Sequence, residues 1–132
     1  MRVREIPADE WQLFLDEFSR SHRAWLATVD RAHPGEEAHV EAVERPLGSV
    51  RPQVNARRVV RIEIRFQEDG QASTPIRIDA PASVRVEETL AGAARALEIR
   101  DEEGDCTRIR FRAAPLPEML DGLAPGEFSA ET

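Results

Sequence analysis

The sequence predicts an α+β domain in which an N-terminal amphipathic helix packs on a curled, mainly antiparallel sheet of six to seven strands. Two observations support this fold class. Apolar residues recur at helical spacing near the N-terminus, and later segments alternate arginine with an apolar residue, as in 61–66 and 108–112. Side chains alternate between the two faces of a strand, so the second pattern indicates a sheet with one apolar and one arginine-rich face.

The helix is predicted from about Pro7 to Ser21. Four large apolar residues occupy the i, i+3, i+4 and i+7 positions expected of a helix lying on a core: Trp11, Phe14, Leu15 and Phe18. Proline suits the first helical turn, and the acidic residues that follow it suit the positive end of the helix dipole.

Seven segments read as strands: 25–29, 39–45, 59–67, 74–78, 83–88, 96–100 and 107–113. Residues 46–52 between the second and third are predicted to form a loop, because two prolines and a glycine disfavour a central strand. Residues 116–120 are predicted to make a short C-terminal helical turn. One helix cannot cover so wide a sheet, so we expect the sheet to curl into a partial barrel or to split into two layers.

Length and composition indicate one domain, 1–124, followed by a flexible tail, 125–132. The net charge of −7 argues against nonspecific nucleic-acid binding by the whole protein. The single Cys106 cannot form an intramolecular disulfide, and Met1–Ile6 lacks the apolar core of a signal peptide. No apolar run approaches the ~20 residues of a membrane span. We therefore expect a cytoplasmic protein with no membrane partner.

Several short segments resemble a family of small bacterial proteins of unknown function. The similarity is carried first by the opening of the chain, at 4–7, 10–11, Phe14, 16–20, His22 and 25–28. Later pieces are also similar, at 41–42, 45–47, 84–89, 96–99 and 110–112. The resemblance covers most of the chain and implies one complete domain. It brings no activity, site or fold assignment that could be carried over.

The arginine-rich face is the leading candidate site. The residues proposed to bind an acidic partner are Arg61, Arg65, Arg77, Arg85, Arg108, Arg110 and Arg112, with Arg100 on the same predicted face. Arginine favours bidentate contact with phosphate or carboxylate, so the partner would be nucleic acid or an acidic protein. The alternative is a solvated face of Arg–Glu ladders that uses Glu63, Glu87 and Glu98, helped by the acidic strand that carries Glu41 and Glu44. The exposed aromatic residues of a single-strand stacking platform are missing, which favours the ladder.

Catalytic chemistry has little support in the sequence. His22, His33 and His39 lack the spacing of a metal site, and Cys106 has no cysteine partner. No catalytic residue, metal or cofactor is therefore predicted, and a non-enzymatic binding module is the leading hypothesis. The alternative is a small-ligand binder or enzyme with a pocket between the helix and the sheet, lined by Trp11, His22 and Trp25. A homo-oligomer that pairs exposed sheet edges is a third hypothesis.

Overall fold

The computed structural model describes residues 1–67 and 74–112. It confirms the α+β class, with one N-terminal helix on an antiparallel sheet. A 3-10 turn, Ala8–Glu10, leads into the helix α1, Trp11–Ser21. The strands, in chain order, are β1 Arg2–Ile6, β2 Leu26–Ala32, β3 His39–Asn55, β4 Arg58–Phe66, β5 Ile76–Asp79, β6 Pro81–Glu88, β7 Ala94–Asp101 and β8 Cys106–Phe111.

The described residues form an eight-stranded sheet, so the expected count of six to seven was wrong. The additional strand is β1, which pairs with β6 and has too short an alternating pattern to stand out in the sequence. The strand order is β1-β6-β7-β8-β2-β3-β4-β5, with every neighbouring pair antiparallel. The predicted C-terminal helical turn at 116–120 and the tail at 125–132 lie outside the described residues.

The sheet curls because β3 pairs with two different strands along its length. Its first half, as far as Pro46, pairs with β2, and its second half, from Leu47, pairs with β4. The register shifts at Gly48, where an added Cβ would lie 3.0 Å from the Arg65 carbonyl oxygen. Glycine therefore allows the backbones to approach closely at this bend. Beyond it, β4 and β5 contact β6 and β7 across the core.

The loop predicted at 46–52 was wrong, since these residues continue β3. After β3 leaves β2, one of its edges has no strand partner among the described residues, and α1 covers it. The Ser19 hydroxyl accepts from the Val50 N–H at 2.8 Å and donates to the Val50 carbonyl at 3.0 Å. Backbone groups alternate sides along a strand, so the nitrogen of Pro52 faces the same free edge, where no ladder hydrogen bond is lost.

The core lies between α1 and the concave face of the sheet. Trp11, Leu15 and Phe18 supply the buried stripe of α1, and Trp11 also donates its indole N–H to the Ile6 carbonyl at 2.8 Å. The sheet contributes mainly β-branched and aliphatic residues, including Val29, Leu47, Val50, Ile62, Ile64, Ile78, Val84, Val86, Leu97, Ile99 and Ile109. The alternation in the sequence therefore assigned the inner faces of β4, β6, β7 and β8 correctly. In the described part of the chain, no helix has the length and apolarity needed to cross a bilayer.

Candidate functional site

The predicted arginine face is present on the outside of the sheet, but curling divides it. Arg61, Arg65 and Arg77 lie on β4 and β5, which face β6 and β7 across the core. Outward side chains of facing strands point in opposite directions. These three arginines therefore lie on the side of the molecule opposite to those of β6 and β8, and the seven predicted residues do not form one continuous surface.

Every predicted arginine of this face also has a carboxylate neighbour. The shortest nitrogen–oxygen distances are Arg61–Asp79 2.6 Å, Arg65–Glu63 3.7 Å, Arg77–Glu63 3.2 Å, Arg85–Glu5 3.6 Å, Arg108–Glu87 2.8 Å, Arg110–Asp30 2.8 Å and Arg112–Glu44 3.7 Å. Arg100 lies 3.8 Å from Glu98 in the same way. An acidic partner would have to compete with these internal carboxylates. The geometry therefore favours the interpretation of the face as a set of ion-pair ladders.

A cleft of about 630 Å³ opens between α1 and the β6–β7 hairpin, and we call it the aromatic cleft. Its volume is in the usual range of ligand sites, about 300–1,000 Å³. One wall comes from Glu10, the last residue of the 3-10 turn, and from Leu13, Phe14 and Glu17 on the face of α1 that follows it. The opposite wall comes from Arg4, Val86, Glu88 and the small residues Gly92, Ala93 and Ala94, and the base includes Phe18, Ser21, His22 and Trp25. The cleft therefore combines apolar rings with carboxylates.

Five rings form a continuous cluster beside this cleft. His22 stacks against Phe18, at a centroid distance of 4.2 Å, and against Phe111, at 5.0 Å, and these two rings also lie 5.7 Å from each other. Trp25 meets His22 edge-on at 4.6 Å, and Phe14 lies 5.7 Å from Phe18. Phe14, Trp25 and Phe111 are only partly buried. Aromatic pairs in such geometries contribute beyond their buried area, so the cluster holds its exposed rings in fixed positions.

His22 connects the end of α1 to the ring cluster. Its Nδ1 lies 2.8 Å from the Phe18 carbonyl oxygen, which can only accept, so Nδ1 carries the hydrogen. In the neutral ring Nε2 is then an acceptor. His22 is 8% exposed, and burial lowers its pKa from the ordinary value although the backbone hydrogen bond to Phe18 opposes the shift. At neutral pH the cleft therefore contains an uncharged imidazole.

The buried histidine predicts a pH dependence of stability. The unfolded chain binds a proton at His22 near pH 6.5, whereas the folded protein, with a lowered pKa, binds it only at lower pH. Stability should therefore decline as the pH falls below about 6.5, and His22→Asn should make this decline shallower. Urea unfolding followed by circular dichroism between pH 8 and pH 5 measures the effect.

His33 provides the matched control, because its shift has the opposite sign. A hydrogen bond to Asp105, at 2.6 Å, raises the pKa of His33. The stabilisation from this hydrogen bond is fully present below the pKa of His33 in the unfolded chain. It is lost as the pH rises through the raised pKa of His33 in the folded protein. His33→Asn should therefore steepen the acid decline that His22→Asn makes shallower. Equal slopes for both variants would contradict the assignment.

Charge on the two walls of the aromatic cleft is unevenly neutralised. On the sheet side, Glu88 accepts from Arg2 at 2.8 Å and from Arg4 at 3.1 Å, and the hydrogen bonds from Arg4 and Arg2 lower the pKa of Glu88. On the helix side, Glu10 and Glu17 have no ion-pair partner among the described residues. The helix wall therefore presents negative charge next to exposed aromatic rings.

The sequence located part of this site and missed the rest. His22 and Trp25, two of the three predicted pocket residues, line the aromatic cleft, while Trp11 is buried in the core and does not line it. The helix side of the cleft is completed by Glu10, just before α1, and by Leu13, Phe14, Glu17, Phe18 and Ser21. Their spacing of three to four residues defines a second face of the helix, and the signal that could have found it is Leu13, an apolar residue outside the predicted stripe.

The remaining polar residues provide no metal centre in residues 1–67 and 74–112, where no group of three His, Cys, Asp or Glu side chains could hold an ion. Burial raises the pKa of the Cys106 thiol, so the thiol is protonated at neutral pH. Comparisons of the chain with protein-family models, with curated proteins and with solved structures find no match. The family resemblance of the sequence therefore stays a prediction.

Proposed function

We propose that this protein is a binding module whose ligand occupies the aromatic cleft. The observation that carries the proposal is the combination, in one cleft of about 630 Å³, of partly exposed aromatic rings with two carboxylates that have no ion-pair partner in the described part of the chain. Among the hypotheses drawn from the sequence, this geometry supports the pocket beneath the helix more strongly than capture of an acidic partner by the outer face.

The chemistry of the cleft favours a small ligand with an apolar or aromatic body and a positive charge. Phe14 and Trp25 offer apolar ring surface to the body, with the Arg4 guanidinium already over the Phe14 ring, 5.9 Å from its centroid. Glu10 and Glu17 lie on the adjacent helix wall, where a protonated amine would find an opposite charge, and aromatic faces also attract cations. A carboxylate-bearing ligand of the same shape would be repelled. The neutral His22 would add a hydrogen-bond acceptor without adding positive charge.

Tryptamine and indole-3-acetate test this proposal, because they share an indole ring and differ in the sign of their charge. Titration is followed by the indole N–H signals in proton–nitrogen NMR. Tryptamine should shift the signal of Trp25 and leave that of the buried Trp11 in place. Glu17→Gln should weaken tryptamine binding about fivefold, since one exposed ion pair contributes up to ~1 kcal/mol.

Glu37→Gln is the matched control, because Glu37 is exposed in the β2–β3 connection and does not line the cleft. It should bind tryptamine as the wild type does. The proposal fails if indole-3-acetate binds as tightly as tryptamine, or if neither compound moves the Trp25 signal.

A further inference from the structure

A second cleft, of about 470 Å³, lies between the last turn of α1 and β3, and we call it the arginine cleft. Three arginines line it: Arg20, Arg23 and Arg51. Unlike the arginines of the outer sheet face, these three have no carboxylate partner within the described residues, and all three are exposed. The protein carries a net charge of −7, so three unpaired guanidinium groups in one cleft form a local region of opposite sign.

The local structure explains why these arginines meet. The two hydrogen bonds between the Ser19 hydroxyl and the Val50 backbone fasten the last turn of α1 to β3. Arg20 follows Ser19 on the helix and Arg51 follows Val50 on the strand, so the two arginines leave adjacent points of the backbone. Arg23 follows in the turn after α1 and completes the rim of the cleft. The convergence is therefore built into the contact that attaches the helix to the sheet.

Nearby carboxylates do not neutralise the cleft. Glu63 is the cross-strand neighbour of Arg51, but its carboxylate contacts Arg77 at 3.2 Å and Arg65 at 3.7 Å. Asp16, one turn before Arg20, is a carboxylate within the lining. The cleft therefore holds three guanidinium groups against one carboxylate. The carbonyl end of α1 repels an anion, so attraction here depends on the arginine side chains.

We propose that the arginine cleft is a binding site for a phosphate group. Guanidinium forks match the oxygen geometry of phosphate, and the Ser49 hydroxyl in the lining can donate a further hydrogen bond. The ligand is either free phosphate or a phosphate monoester on a small molecule. This site is separate from the aromatic cleft, and its ligand has the opposite charge.

Inorganic phosphate and phenyl phosphate are the probes, titrated at constant ionic strength against sodium chloride while arginine Nε–H signals are followed by NMR. Phosphate should give saturable shifts at the three arginines, and chloride should not. Tighter binding of phenyl phosphate than of phosphate would identify a monoester as the ligand, and equal binding would identify the free ion. Both results support the site.

Substitutions of opposite expected effect make the test decisive. Arg51→Gln should weaken phosphate binding about fivefold, since one exposed ion pair contributes up to ~1 kcal/mol. Asp16→Asn should strengthen binding, because it removes the competing carboxylate. Arg85→Gln is the control: Arg85 lies on the outer face beside Glu5, and its replacement should leave phosphate binding unchanged. Shifts that fail to saturate, or that chloride reproduces, would overturn the proposal, as would weaker phosphate binding by Asp16→Asn.

Discussion

Leu15→Ala should lower the free energy of unfolding by about 2–5 kcal/mol, the cost of removing a fully buried leucine and leaving a cavity. Leu15 has no exposed surface and lies in the middle of the buried stripe of α1, between Trp11 and Phe18. In the described part of the chain no other α-helix packs on the sheet, so no neighbouring helix can move in to fill the cavity that the truncation leaves. Chemical denaturation followed by far-ultraviolet circular dichroism measures the loss.

Leu13→Ala is the control on the same helix. Leu13 is 65% exposed and faces the aromatic cleft, so its truncation should change stability by about 0.5 kcal/mol or less. The two leucines have the same helical propensity and differ only in burial. Similar losses for both variants would mean that α1 is not seated on the sheet as described.

This pair also shows how far the helical pattern can be read from sequence. The i, i+3, i+4, i+7 stripe predicted a helix and three of its four residues are buried, yet Phe14 is only partly buried beside the aromatic cleft. The spacing reports which residues share a helix face. It does not report where the neighbouring wall ends, because that wall comes from β6 and from the turn before β7, about 75 residues further along the chain.

The charged residues of the sheet show the same limit of prediction from sequence, here for contacts between distant segments. Alternation placed the arginines on the outer face, but the excess of positive charge that motivated an acidic partner came from counting only Glu63, Glu87 and Glu98 as carboxylates of that face. The structure adds Glu5, Asp30 and Asp79 from neighbouring strands. Asp30 meets Arg110 only because β2 pairs with β8, and no local signal in the sequence specifies that pairing. The free arginines instead follow from the contact of Ser19 with Val50.

Arg108→Glu should have the largest electrostatic effect, a loss of about 2 kcal/mol in the free energy of unfolding. Arg108 contacts Glu87 at 2.8 Å and Glu98 at 3.6 Å, and its cross-strand neighbours in register are Glu98 and Asp30. The charge reversal removes the ion pairs with Glu87 and Glu98. It also places a new carboxylate beside those of Glu87, Glu98 and Asp30. Each lost pair and each like-charge neighbour costs about 0.2–1 kcal/mol, and their sum gives the estimate. Urea unfolding at neutral pH and low salt measures the change.

Three comparisons separate charge repulsion from loss of packing. Arg108→Gln keeps much of the side-chain bulk without the repulsion, so it should lose about half as much or less. Salt at 1 M shortens the screening length to about 3 Å and should reduce the deficit of the glutamate variant. Adding Glu87→Arg restores an opposite charge at the nearest partner and should recover part of the stability. Equal losses for the Gln and Glu variants, unaffected by salt, would refute the ladder. The arginine-rich outer face would then again be a candidate site for an acidic partner.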